Sequence, residues 1–451
     1  MKINHRHSST GSVLLSAAMT AGIFAILIAG VLTYLSNEYN LNFRSHRWNQ
    51  SFHLAEAAVE TGIAEYNYQY YQGSNGFQFS RGWTSLGGNS YSKTVANLTD
   101  TSGNVVGTIY VKASNINTNN PTFQGVGTVT SSNYRGQNIA RAVQVSLAPS
   151  PMFPLGLMSL TTIDLNGNNI YTDSFDPSDP TKSTGGQYDP SKRQPNGNIG
   201  TDDTVINSVS IGNANVYGTV STGVGGSVTM GPSGTIGPTF TSPATSVSQA
   251  QADGWIQSDF DVSIPDVTLP SGLSTATPEG TINNSTTLSS GDYQASSISL
   301  SGNKTLTITG NVRIYVSGDM SISGNASISI ATNASLKIYA AGSVSVAGNG
   351  IVNSTGSATS LELFGLPTST SWNVNGNGQW VGTVYAPEAA LRISGGGSTG
   401  DVSGAFVTKS ITLDGHTNFH YDESLKKTGP IVGYLAASWQ ELHYEGGNWV
   451  P

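Results

Sequence analysis

The 451-residue sequence predicts a mainly β protein: a long N-terminal transmembrane and amphipathic helix, a small antiparallel β-sheet, then a right-handed β-helix or solenoid. Three observations carry this. Residues 13–35 are an uncharged apolar run, and a three–four apolar spacing continues beyond it to about residue 63. Residues 91–148 alternate apolar and polar positions between turn signals. From about residue 205 a short phrase ending in Gly-Asn recurs, at 22 residues from Gly302 to Gly324 and 24 from Gly324 to Gly348; such periods with two-residue alternation mark stacked β-coils.

The N-terminus is a leader-like basic segment, residues 1–11, with Lys2, His5, Arg6 and His7. Helix is expected over 12–70. Its membrane part, about 13–35, would span about 35 Å, enough for a bilayer core. An apolar run of this length exceeds the 7–15 residues typical of a secretory signal, so a retained anchor is expected. The positive charges flanking it, Lys2 and Arg6 before and Arg44 and Arg47 after, nearly balance. The Asn/Ser/Thr/Gly-rich remainder favours a cytoplasmic N-terminus and an extracytoplasmic C-terminal part. Beyond the membrane, Phe52, Ala55, Val59 and Ile63 form an apolar stripe, with Glu56, Glu60 and Glu65 near the other face. Such a stripe must bury itself on something, and the β region at 71–150 is the candidate. Strands are read at 105–113, 125–131 and 140–147, and Pro149, Pro151 and Pro154 mark the boundary after them.

A Gly/Pro/Asp-rich loop with the first strands is expected at 151–204, the solenoid at 205–427 with an excursion at about 235–285, and a tail at 428–451. The positions read as inward are Leu306, Ile308, Val312, Ile314, Val316, Ile322, Ile328, Ile330, Leu336, Ile338, Val344 and Val346. Roughly seven coils, a rod near 35 Å, are expected. Low charge follows from stacking, because like charges about 4.8 Å apart would repel along every ladder.

Composition excludes several classes. Charged residues are 10%, against about 25% in ordinary globular proteins. With no cysteine there is no disulfide framework, thiol nucleophile or cysteine-held metal. Residues 1–150 carry 9 Lys/Arg and 5 Asp/Glu, and residues 151–451 carry 10 and 22. The larger part is acidic, so no nucleic-acid footprint exists.

The basic leader, the unbroken apolar helix and the stretch Ala55-Glu56-Ala57-Ala58-Val59-Glu60 resemble the N-terminal region of PilX-type minor pilins of the type IV pilus assembly group. The resemblance covers about residues 8–70. It implies leader cleavage between Gly11 and Ser12, and partnership with membrane lipid and with other pilin-like subunits through the helix. Major pilins carry Glu at the fifth position after the cleaved Gly; this chain has Ser16, which disfavours a major-subunit role. A second resemblance covers about 155–427: residues 382–387, 393–395 and 420–425, with 173–176 and 212–218, look like an uncharacterised bacterial β-solenoid domain found behind PilX-like N-termini. It implies no chemistry.

His416, His420, Asp422 and Glu423 form a dense titratable cluster, candidates for metal binding or acid–base chemistry. The competing reading is that this segment closes the last coil at the solenoid end, with His420 and Asp422 on one face and Tyr421 and Glu423 on the other. Asp173, Asp176 and Asp189 are candidate Ca²⁺ ligands without EF-hand spacing, or simply turn residues; no other cofactor is indicated. Residues 298–350 offer only Lys304, Arg313, Asp319 and Lys337, a poor set for a polysaccharide-cleaving site. The expectation is a non-enzymatic, membrane-anchored, pilin-like subunit on the pilus or cell surface, displaying its solenoid for adhesion or as a spacer or cap, with a surface ligand or polysaccharide as a further partner. Two alternatives are a membrane-anchored β-helix enzyme acting on polysaccharide and a self-polymerising structural solenoid.

Overall fold

The computed structural model describes residues 10–71, 81–99, 101–129, 138–167, 170–262, 264–376, 380–395, 401–415 and 417–451. The chain forms two compact units, Met1–Ala148 with Tyr434–Pro451, and Pro149–Gly433.

In the first unit, α1 (Thr10–Tyr71) is one unbroken helix of 62 residues. Every described side chain from Val13 to Leu41 is exposed, whereas Ser51, Ala55, Ala58, Val59, Tyr66 and Gln69 are buried. That three–four spacing is the stripe the sequence indicates, turned slightly so that Phe52 and Ile63 lie at its edges. The sheet it covers runs β1 (Thr84–Gly87), β2 (Ser90–Thr99), β3 (Val105–Ser114), β4 (Thr122–Val129), β5 (Ile139–Pro151). These five strands pair antiparallel.

Helix and sheet meet backbone to backbone. A Cβ on Gly125 would lie 2.8 Å from Val59 Cγ2 and 3.0 Å from the Ala58 Cβ, and one on Gly127 would run into the Ser51 carbonyl and lie 2.6 Å from the Leu54 Cβ. Ala55 and Ala58 of the Ala55–Glu60 stretch are therefore contact residues, chosen by the small gap. Glu60 is exposed, and Glu56 lies 3.2 Å from His53. Gly127→Val should overpack this contact and cost about 1–3 kcal/mol or more, read as a drop in the thermal midpoint of the detergent-solubilised chain.

Residues 428–451, expected as a tail, contain strands instead. Ile431–Glu445 hydrogen-bonds beside β5 and Asn448–Val450 follows it in the same sheet. Asn67 exchanges two hydrogen bonds with the Tyr434 backbone (2.9 and 2.8 Å), and Tyr66 packs against Tyr434 with ring centres 4.8 Å apart. The pairing partner lies about 300 residues upstream, so no local pattern announces it. The second unit is thus a long insertion between two adjacent strands.

That unit is a stack of parallel β-coils with three strand faces. All twelve positions read as inward are buried in one core. Register confirms the repeat: Ile314 pairs with Ile338, Ile308 with Ile330, and Ile322 with Val346. At the corners Gly302, Gly324 and Gly348 have φ of 66°, 68° and 70°, the left-handed region that glycine tolerates. The asparagines beside them form a ladder: Asn325 Nδ2 donates to Asn303 Oδ1 at 3.2 Å, and Asn349 Nδ2 to the Asn325 carbonyl at 3.0 Å. Several charges pair across adjacent coils, as in Arg313–Asp292, Arg392–Asp414 and Lys409–Glu388.

The order of stacking departs from the sequence. Thr277–Ile282 pairs with Gly291–Leu300, and successive strands add until Val402–Gly415. That strand then pairs with Leu157–Ser159 and Ile163–Leu165, the start of the unit. Ile163–Leu165 in turn pairs with Val209–Ser210, and that with Val228–Thr229. The coil last in sequence therefore lies in mid-stack against the first, and does not close an end as expected. The first coil begins at Leu157, well before residue 205. A loop at 176–198 inserted between its strands hides its repeat. Residues 258–262 and 264–276 run alongside the coils between the two ends of the stack; Tyr385 Oη donates to the Pro265 carbonyl at 2.8 Å.

Candidate functional site

The two segments singled out separately for their acids, 173–176 and 420–423, are neighbouring strands at the junction of the last and first coils. Tyr171–Phe175 and Phe419–Asp422 pair in parallel, His420 opposite Asp173 and Tyr421 opposite Ser174. Phe419 and Tyr421 point into the core, and the Tyr421 hydroxyl donates to the Phe153 carbonyl at 2.7 Å. His420 and Asp422 share the other face, as alternation indicates. That face is covered as well, since His420 and Asp173 are each 0% exposed. Its cover is the inserted loop, whose Tyr188 ring stacks on the His420 ring at 3.5 Å.

Hydrogen bonds fix the cluster. His420 Nδ1 is 2.5 Å from Asp173 Oδ1, and the Tyr188 hydroxyl donates to Asp173 Oδ2 at 2.8 Å. Arg193 lies 3.8 Å from Asp173 and over the rings of Tyr171, Tyr217 and Phe240. On the other side of the imidazole, Nε2 is 3.7 Å from Asp401 Oδ1. Burial pulls the His420 pKa down, but Asp173 and Asp401 outweigh it, and the net shift is upward. The neighbouring His420 imidazole holds Asp401 below the ordinary carboxylate value. Burial, then the Asp173 charge, raises Tyr188.

A second group pins the ends of the same strands. Lys427 Nζ donates to Asp176 Oδ2 at 2.6 Å, and Ser178 Oγ to Asp176 Oδ1 at 2.5 Å. Burial opposes these bonds, yet they hold the Asp176 carboxyl down at about 2. Asp422 accepts from the Ser424 backbone at 3.0 Å and hydroxyl at 2.6 Å, but burial dominates and pushes it up to about 6. Glu423 accepts from Ser174 at 2.7 Å and Asn196 at 2.8 Å.

Asp189 caps its own turn, accepting from the Ser191 backbone at 2.9 Å and from Thr184 at 2.6 Å. The three aspartates considered for Ca²⁺ thus serve three separate purposes. Among the described residues no group of three or more His, Asp and Glu side chains is placed to hold a metal ion. His416 lies outside the described residues. Sequence reasoning missed Tyr188, Arg193, Asp401 and Lys427, which reach the cluster from the inserted loop and from both sides of the junction strand; the available signal was an aromatic followed directly by Asp in both strands, Phe175-Asp176 and Tyr421-Asp422. Lys304, Arg313, Asp319 and Lys337 all spend their charge coil to coil: Lys304 on the Asn283 carbonyl at 2.7 Å, Arg313 on Asp292, Asp319 on the Ser343 backbone at 2.8 Å and Lys337 on Glu362.

The raised pKa values set a pH dependence. A group raised in the fold adds stability that is complete below its unfolded pKa and disappears as pH climbs through its folded value. For Asp422 the loss falls between about 4 and about 6; for His420 it begins above about 6.5 and adds to it. Asp176 works in the opposite sense, losing its contribution only as pH falls from about 4 toward about 2. Asp422→Asn should therefore flatten the decline in thermal midpoint between pH 4 and 6 and leave the decline above 6.5 in place.

Residues 247–428 match a family described as a domain of unknown function (DUF7305). The match takes in the connecting segment and the coils from Thr277 to the junction strand. No curated protein matches the sequence. Among solved structures, the competence-associated pilin ComZ from Thermus thermophilus is similar at 13% identity, covering 87% of this chain and 97% of that chain, with a TM-score of 0.27.

Proposed function

We propose that the protein is a non-enzymatic, membrane-anchored, pilin-like subunit that presents its parallel-coil unit outside the membrane as an adhesive surface, spacer or cap. The observation that carries this is the division of α1. One helix contains a span with mean hydropathy 2.2 whose window is 0% buried, and then a stripe of small residues seated on an antiparallel sheet. The exposed half suits lipid, or the equivalent halves of other subunits in a filament core. In this reading the basic N-terminus stays inside, cleavage falls between Gly11 and Ser12, and the winding of the coils is right-handed, the hand of about 98% of parallel crossover units. A non-enzymatic role is supported by the pairing of Arg313 with Asp292 and of Lys337 with Glu362 and by the burial of His420 beneath Tyr188.

The test is location. A tagged copy should appear in filaments sheared from the cell surface. Confinement to the membrane fraction, with filaments assembling normally in its absence, would overturn the reading. N-terminal sequencing of the mature chain should begin at Ser12; an intact Met1 removes the cleavage.

A further inference from the structure

We propose that the first unit binds a short acidic saccharide, a sugar of the uronic or sialic acid class, in a pocket on the face of the sheet turned away from α1. The pocket has a volume of about 570 Å³, within the range of about 300–1,000 Å³ that holds small ligands. Strand alternation builds its floor. Ile109, Val111 and Ala113 are buried on the helix side, so Tyr110, Lys112 and Ser114 line the pocket from the other. Lys112 pairs with Gln124 and Gln124 with Gln144, which sets one charged and two amide side chains in a row across β3, β4 and β5. The C-terminal hairpin supplies the wall. Gly446 and Gly447, at φ of 58° and 89°, make a two-residue turn between Glu445 and Asn448. The returning strand, Asn448–Val450, places Trp449 beside the floor, where its carbonyl accepts from Gln124 Nε2 at 3.5 Å. The Tyr444 ring, opposite in register and 5.2 Å away, steadies the indole.

The lining selects the ligand. Four amide side chains, Asn115, Gln124, Gln144 and Asn448, each carry donors and an acceptor, the match for hydroxyls that do both. Among the described residues, the side chains of Tyr110, Lys112, Gln144 and Asn448 make no hydrogen bond or ion pair, so these groups are unspent. Tyr110 and Trp449 bring aromatic surface for the apolar face of a sugar ring. Lys112 is the one charged side chain of the lining, with no carboxylate beside it, and so favours a ligand that carries a carboxylate. Other ligand classes fit worse. A nucleic acid needs several cations along its phosphates, and here there is one. An extended peptide adds to a free strand edge, and β3 and β4 are hydrogen-bonded on both sides. An apolar ligand would leave the amides without partners. A sugar acid uses the amides, the rings and the cation together. The site is complete within one chain, so it does not rest on filament membership.

The test is a titration of the full chain, held in a zwitterionic detergent without a sugar headgroup, at neutral pH. The probes are glucuronic acid, galacturonic acid and N-acetylneuraminic acid, with glucose as the neutral control, and binding is read from the ligand NMR signals. At least one of the acids should saturate a single site per chain, about tenfold more tightly than glucose. Trp449→Ala should weaken that binding by about tenfold. Lys112→Gln should bring the acid down to the level of glucose. Lys112 is partly exposed and unpaired, so this variant should melt like the parent, and its loss of binding is not loss of fold. A folded wild-type chain that binds none of the three acids overturns the proposal. So does binding that both variants leave unchanged, which places the sugar elsewhere, and so does glucose binding as tightly as the acids, which leaves Lys112 without a role.

Discussion

Ile330→Asp should unfold the coil unit at a temperature far below that of Ser329→Asp, although the two positions are adjacent. Ile330 is 0% exposed between Ile308 and Asn353 of the neighbouring coils, while Ser329 is partly exposed between Thr307 and Val352. Truncating a buried isoleucine costs about 2–5 kcal/mol. An aspartate there removes the same apolar volume and also buries a carboxylate with no partner. In a coil stack both neighbouring interfaces lose packing, since each coil rests only on the next. The Ser329 change meets no acid in register and should stay within about 1 kcal/mol. Thermal melts of the two full-length variants decide the matter. Equal midpoints would mean that the inward and outward faces are misassigned.

Asp173→Ala should destabilise the same unit by about 3–5 kcal/mol, the range for removing one partner of a buried pair. The change strands the His420 Nδ1–H and the Tyr188 hydroxyl, both of which donate to this carboxylate. It also removes the carboxylate that lies 3.8 Å from Arg193. Asp173→Asn, which keeps shape and one acceptor, should cost less. His420→Ala combined with Asp173→Ala should cost less than the sum, with a coupling in the range of about 0.5–3 kcal/mol. Because these residues join the first coil to the last, the loop at 176–198 should become protease-sensitive in Asp173→Ala before the coils at 305–346 do. Simultaneous cleavage of both regions would show that the junction is not a separate weak point.

Much of this architecture was legible one residue at a time. The helix expected over 12–70 is found at Thr10–Tyr71, since its apolar spacing and lack of a breaker are local properties. β3, β4 and β5 lie where alternation placed them, within a few residues. The inward positions of the coils were read without error, because strand side chains alternate faces whatever the strand pairs with. Gly310 shows the limit of that local reading. It resembles the other Gly-Asn corners, yet its φ is not positive; it is small because a Cβ would crowd the Ser290 backbone nitrogen at 2.6 Å in the coil below.

By itself the sequence determined which residues form helix, strand and corner, and which side chains each strand turns inward. The tertiary structure alone decided which coil lies on which. Every coil presents similar apolar rows and free backbone groups above and below, so periodicity is indifferent to order and would accept a simple sequential stack. The choice is made by side chains that match at one junction only: His420 with Asp173, Glu423 with Ser174 and Asn196, Lys427 with Asp176. The partners in each pair lie more than 220 residues apart, and each spends its charge or hydrogen bond only when these coils meet in this register. The same holds for Ile431–Glu445, whose place beside β5 rests on backbone hydrogen bonds that any strand could offer and on the Asn67 and Tyr66 contacts with Tyr434 that only this one satisfies.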